Sequence, residues 1–300
     1  MKIHDVDYLK KNLAVHSDSY KVGQWKQYPP GTNYVRSYFE ARGNGPIVFF
    51  GLQMILDRLL ALSVMRPAIA YRFWAEHLGD ESIYNYEGWK LLHEKYRNAL
   101  PIEIRAVPEG HIYPAGVPLF VIENLDPDFY WLTNWLETML VRVWYPTTVA
   151  TQSYNINKYL VGAMKEAGVP EDEIAMNIQF MLHDFGYRGA SSDESARIGG
   201  AAHLISGFLG TDTAGGVVEL MENYMSKTEM PGFSIAAMEH STVTSWGVKG
   251  ECDSFRNHIE TNADDAIVAC VIDSYDAEHA IRQYFGKDLK ELIMSRAGRV

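Results

Sequence analysis

The sequence predicts an α/β chain in two parts, a mixed α+β domain over residues 1–145 and the first part of an α/β barrel over residues 146–300. Three observations predict it. The 300 residues are 47% hydrophobic, with charged residues scattered rather than blocked into runs, which suits a sizeable buried core. No repeat, low-complexity tract or Ser/Pro-rich linker interrupts them, so the chain reads as continuously folded. Past Pro146 the texture changes to short apolar runs alternating with longer helices, the βα pattern of parallel sheets and barrels.

Taken in order, residues 18–40 are rich in Tyr and Pro, and Pro29-Pro30-Gly31 marks a turn between extended pieces, so loop and strand are expected there. Over residues 49–62, Leu52, Ile55, Leu56, Leu59 and Leu60 recur at the spacing of one buried helix face. Residues 102–107 and 118–123 are apolar or alternating between Pro and Gly punctuation and read as strands. Helical period returns over 131–144, where Trp131, Trp135, Met139 and Trp144 read as core. Helices are then expected over 149–167 and 192–205, and strands over 178–182 and 266–272. The sequence reaches Gly298-Arg299-Val300 where a further strand begins, so the barrel is expected to be incomplete.

Composition excludes several classes of function. A net charge of -11 gives no broad attraction to phosphate backbones or anionic lipid, so no nucleic-acid partner is expected. Two cysteines, Cys252 and Cys270, form neither a disulfide framework nor a CxxC spacing, and the first residues lack an apolar signal region. A cytoplasmic protein is expected. No apolar run approaches the roughly 20 residues that span a bilayer, so no membrane association is expected either. No glycine fingerprint for a dinucleotide, no phosphate-binding glycine loop and no H-E-x-x-H is present.

Four polar clusters remain. His183-Asp184-Phe185-Gly186-Tyr187-Arg188-Gly189 lies between an expected strand and a Ser-Ser-Asp-Glu helix start. Such a loop can aim an aromatic face, an arginine and helix amides at one planar or anionic ligand, or it is an aromatic turn with Arg188 paired to an acid and Ser191 or Ser192 capping the helix. In Gly210-Thr211-Asp212-Thr213, Asp212 or Thr213 caps a helix, or the carboxylate accepts from a carboxamide or from ribose hydroxyls. His240 is a structural histidine, a general base or a phosphate acceptor. Asp273 is a helix cap, or grips hydroxyls or a hydrated metal.

These segments, together with Asp18-Ser19-Tyr20-Lys21-Val22, Lys26-Gln27-Tyr28-Pro29-Pro30, Ser37-Tyr38-Phe39-Glu40, Pro101-Ile102-Glu103-Ile104 and Tyr130-Trp131-Leu132-Thr133-Asn134-Trp135, closely resemble the nicotinamide phosphoribosyltransferase family over nearly the whole chain. The resemblance implies a type II phosphoribosyltransferase fold and transfer of a phosphoribosyl group from phosphoribosyl pyrophosphate to nicotinamide, for NAD salvage. It implies Mg²⁺ with the donor, ATP as coupling substrate, and a homodimer with sites at the interface. Phe185 matches the family's aromatic that stacks on the pyridine, Tyr20 the facing aromatic from the other subunit, and Asp18 its neighbour. Asp212 matches the acid that receives the amide N–H and disfavours nicotinate. Arg188 matches an arginine of the ring and phosphate side, Arg42 the phosphate ligand from the other subunit, His240 the histidine phosphorylated from ATP, and Asp273 a ribose-side acid.

The resemblance further implies that the segments holding the phosphoribosyl donor lie past the equivalent of Val300, so exposed apolar surface and sheet edges are expected. A truncated or split transferase fits these expectations. The alternatives are a non-catalytic dimer-forming module that modulates a full-length relative, and a nicotinate phosphoribosyltransferase.

Overall fold

The computed structural model describes residues 6–62, 66–97, 99–224 and 230–300. They divide into two compact units, Met1–Gly232 and Phe233–Val300. The boundary expected at residue 146 lies instead in the first turn of a 23-residue helix, Trp144–Glu166, where Pro146 is tolerated because its missing N–H would have no partner within that helix.

The first unit opens with a three-stranded antiparallel sheet. Its order is β1 (Arg36–Glu40), β5 (Pro118–Asn124), β3 (Ile102–Ala106), so the central strand is the apolar one and is buried on both faces. Phe39 of β1 stacks on its register partner Phe120, ring centroids 5.2 Å apart. A separate antiparallel pair joins β2 (Pro46–Val48) to β4 (Ile112–Pro114).

The core against this sheet is built on tryptophans whose indole N–H groups are satisfied. Trp74 donates to the Ala14 carbonyl at 2.8 Å and Trp135 to that of Leu13 at 3.1 Å, while Trp89 packs edge-on against Trp131 and Trp135. Trp131, Trp135 and Met139 are core residues as expected. Trp144 is exposed, because it begins the long helix at the edge of a groove rather than ending the buried face before it.

Two further expectations change in this unit. Residues 19–26, expected as loop or strand, form a 3₁₀ helix (Ser19–Lys26) because Lys21 turns inward, its ammonium donating to the Asn134 carbonyl at 3.0 Å and to Glu137. The helix expected over 49–62 is α1 (Leu52–Leu60), whose buried residues are Leu52, Met54, Ile55 and Leu59. Leu60 is exposed, lying about 100° round the helix from Leu59. The Glu109 carboxylate accepts from the backbone N–H groups of Gly51, Leu52 (3.1 Å) and Gln53 (2.9 Å), which satisfies the orphan donors at this helix start.

The βα part of this unit is a parallel pair of two-residue strands, β6 (His183–Asp184) and β7 (Gly210–Thr211). Helices α2 (Asp193–Leu204) and α3 (Ala214–Asn223) follow them. The strand expected over 178–182 is absent. Ile178–Phe180 continues the preceding helix, Glu171–Asn177, as a 3₁₀ turn, with Asn177 and Ile178 both in the helical region. The two helices after the strands touch through glycines. A Cβ on Gly216 would stand 2.7 Å from the backbone carbon of Gly200.

The second unit repeats the plan. Strand β8 (Ala236–Ala237) pairs in parallel with β9 (Val268–Ala269), the paired portion of the run expected over 266–272, and Arg299 bridges in parallel to Ile267. Its core gathers Val243, Phe255, Ile259 and Ala280 from helices His240–Thr244 and Glu251–Thr261 and a π-helical stretch, Ala280–Asp288, with Leu289 just past that stretch. Among the described residues no helix is long and apolar enough to cross a membrane.

Candidate functional site

In the first unit, the C-terminal ends of β6 and β7 bring the singled-out Phe185 and Asp212 together with His183. Register places His183 opposite Gly210 and Asp184 opposite Thr211, so the residues that follow, Phe185 and Asp212, emerge side by side. His183 Nε2 lies 3.1 Å from Asp212 Oδ1, and the imidazole ring sits 4.7 Å from the Phe185 ring at 38°. Phe185 itself is 63% exposed, an aromatic face presented to solvent beside a carboxylate. A Cβ at Gly210 would meet His183 Nδ1 at 2.6 Å, so the glycine makes room for that imidazole.

The helix-cap reading holds for Ser192, whose hydroxyl accepts from the Ser195 N–H at 3.1 Å. It does not hold for Thr213, which stands at the start of α3 without a side-chain cap bond, while the Asp212 carboxylate meets His183. Tyr187 donates to Asp193 at 2.7 Å, a bond that pushes its phenol up from the ordinary range, and Arg188 is exposed on the same loop. Beneath the strand pair His203 is buried, its Nδ1 3.0 Å from the Ser153 hydroxyl and its ring parallel to that of Phe208. Burial holds the His203 imidazole below its ordinary value of 6.5, against the opposing pull of Asp184.

Sequence reading of the site left out His183 and Asp184 as individual contributors. The available signal was their place, the last two residues before Phe185 at a strand end.

Asp18 and Tyr20 lie at the Ser19–Lys26 helix of the same unit. Asp18 Oδ2 accepts from the Thr138 hydroxyl at 2.8 Å, and Tyr20 is exposed along a shallow groove of about 320 Å³ with Gln24, Tyr28 and Glu137. Tyr20 makes no ring contact with Phe185. Arg42 lines a larger groove of about 870 Å³ with Tyr38, Glu40 and Trp144, and Glu137 borders both grooves.

In the second unit His240 begins a five-residue helix closed by a capping box of Glu239 and Thr242. Its Nε2 lies 3.0 Å from Asp273 Oδ1, with the two side chains 60% and 68% exposed. The helix cap expected of Asp273 belongs to Asp276, which accepts from the His279 N–H at 2.9 Å.

Residues 12–104 match the family model of the nicotinamide phosphoribosyltransferase N-terminal domain, and residues 180–299 match that of the nicotinate phosphoribosyltransferase family. A nicotinamide phosphoribosyltransferase of Xanthomonas campestris pv. campestris is 42% identical over 294 residues, 96% of this chain and 61% of that protein. Those of Acinetobacter baylyi and Mycoplasma genitalium are 29% and 28% identical, over 93% and 97% of this chain and 57% and 66% of theirs. The chain therefore spans about three fifths of the length of the curated relatives it matches. The crystal structure of human nicotinic acid phosphoribosyltransferase superposes with a TM-score of 0.53 at 20% identity, over 76% of this chain and 40% of that one, a likeness of α/β fold. By sequence, this chain is similar to the nicotinamide phosphoribosyltransferase family.

Proposed function

We propose that the chain is the base-binding part of an enzyme that joins nicotinamide to phosphoribosyl pyrophosphate, giving nicotinamide mononucleotide and pyrophosphate for NAD salvage. The observation that carries this reading is the exposed Phe185 ring beside the His183-paired Asp212 carboxylate, in a chain related to proteins named for that activity. A neutral pyridine offers its face to Phe185 and its carboxamide N–H to Asp212, whereas the carboxylate of nicotinate meets Asp212 as a like charge.

In this reading a second copy of the chain lends Tyr20 to the other face of the ring and Asp18 beside it, so the working form is a homodimer. Arg188 and Arg42 take the phosphate side. The ring nitrogen attacks the anomeric carbon as pyrophosphate departs, and positioning in line lowers the barrier. His240, open to solvent, accepts a phosphoryl group from ATP as ADP departs, with Asp273 orienting its ring. Among the described residues no group of three or more His, Cys, Asp or Glu side chains is gathered around a cation site. In this reading Mg²⁺ belongs with the donor's pyrophosphate, whose charge it offsets when bound. The free thiols Cys252 and Cys270 suit a reducing, cytoplasmic setting.

A nicotinate-specific reading has one observation in its favour, the match of residues 180–299 to the nicotinate family model. Asp212 speaks against it. The test is product formation by the purified chain with phosphoribosyl pyrophosphate, Mg²⁺ and ATP, offered nicotinamide or nicotinate. Nicotinamide mononucleotide as the main product supports the proposal, and nicotinate mononucleotide supports the second reading. Binding of nicotinamide without turnover makes the chain a base-binding module that works with a partner, and binding of neither base ends the proposal.

A further inference from the structure

We infer that Asp184 is the positioning residue of the β6–β7 site, setting the Phe185 ring and the Asp212 carboxylate in one register. The inference rests on the base-site reading above and adds to it a residue that does not itself meet the base. Three separate bonds converge on Asp184. Its Oδ1 accepts from the Gly186 N–H at 2.8 Å, which folds the chain back immediately after Phe185 and leaves that ring pointing outward. Its Oδ2 accepts from the Thr211 hydroxyl at 3.2 Å, and its backbone carbonyl accepts from the Asp212 N–H at 2.8 Å. Thr211 Oγ1 in turn accepts from the Thr213 N–H at 3.0 Å.

The residues on both sides of Asp212 are therefore tied, directly or through one hydroxyl, to the residue before Phe185. Parallel pairing of two-residue strands fixes little by itself, because so short a ladder has few hydrogen bonds. The side-chain ties supply the register that the ladder lacks. Glycines make the room. A Cβ on Gly186 would stand 2.8 Å from Asp184 Oδ1, and one on Gly200 would stand 3.2 Å from Oδ2. The pattern Asp184-Phe185-Gly186 with Thr211-Asp212-Thr213 thus reads as one device, with the ligand groups at Phe185 and Asp212 and the bracing between them.

The test compares Asp184→Ala, Asp184→Asn and Thr211→Val in the full chain. Nicotinamide dissociation constants are measured beside the NMR signals of the Gly186 amide and the His183 ring, with melting temperature as the control for folding. Asp184→Ala is expected to weaken nicotinamide binding about tenfold and to shift both signals, as loss of two charge-assisted bonds requires. Asp184→Asn keeps an acceptor for Gly186 and should fall within about threefold of the parent. Thr211→Val should move the His183 signal and leave that of Gly186 in place. Unchanged affinity and unchanged signals in the folded Asp184→Ala protein would overturn the inference. If the parent chain binds no nicotinamide but Asp184→Ala still shifts Gly186 and His183, the base reading fails and the positioning role stands.

Discussion

His183–Asp212 in the first unit and His240–Asp273 in the second are histidine–aspartate contacts of nearly equal length, 3.1 and 3.0 Å, set in opposite surroundings. The His183 and Asp212 side chains are 12% and 34% exposed, with an aromatic ring on the imidazole and strand backbone on either side. Those of His240 and Asp273 are 60% and 68% exposed, at the start of a single-turn helix. The same contact therefore has two meanings. A shielded pair fixes geometry, which suits recognition of a neutral heterocycle. An open pair leaves the imidazole accessible, which suits a group that must meet a phosphoryl donor.

The scaffold under the first pair gives the largest expected effect. Gly216→Ala forces a methyl to within 2.7 Å of the Gly200 backbone and should cost about 3 kcal/mol, the upper end of ordinary overpacking, read as a lowered urea midpoint. A small loss would mean that α2 and α3 can part without harm, and the contrast between braced and open sites would weaken. Next in size, His183→Ala should destabilise by about 1–2 kcal/mol, because it removes a largely buried imidazole together with its contacts to Asp212 and the Phe185 ring. His240→Ala should stay within about 0.5 kcal/mol, as exposed pairs do. Equal losses in the two variants would break the comparison.

The smallest effect is a pH dependence. Burial lowers the His203 value in the folded state, so the unfolded chain takes up the proton first as pH falls. The contribution is complete above about 6.5 and is lost as pH drops from there through the depressed folded value. Unfolding midpoints at pH 7.5 and 5.5 should therefore differ more in the parent than in His203→Gln. A parent curve as flat as the variant's would show that His203 is not held neutral.

Much of this was legible in the chain. The strands at Ile102–Ala106 and Pro118–Asn124 and the helix Asp193–Leu204 are each flagged by local pattern, since apolar alternation, helical period and a Ser cap act over a few residues. The 3₁₀ helix at Ser19–Lys26 was not, because its cause is a lysine anchored on Asn134 and Glu137, more than a hundred residues away. Residues 178–182 misled because an apolar run reads the same in a strand and at a buried helix end, and only the preceding helix decides between them. At the site, the family resemblance supplied Phe185 and Asp212 through their roles alone. That His183 joins them and Asp184 braces them depends on parallel register, which no local signal encodes.

The central claim is that Phe185 and a His183-paired Asp212 form a site for a neutral pyridine carboxamide. The most direct measurement is the affinity of the folded chain for nicotinamide against nicotinate at neutral pH, repeated with Asp212→Asn. The account predicts that nicotinamide binds at least about tenfold more tightly and that Asp212→Asn narrows the difference by relieving the like charge toward nicotinate. Equal affinities in the parent, or a preference that Asp212→Asn leaves untouched, would contradict it.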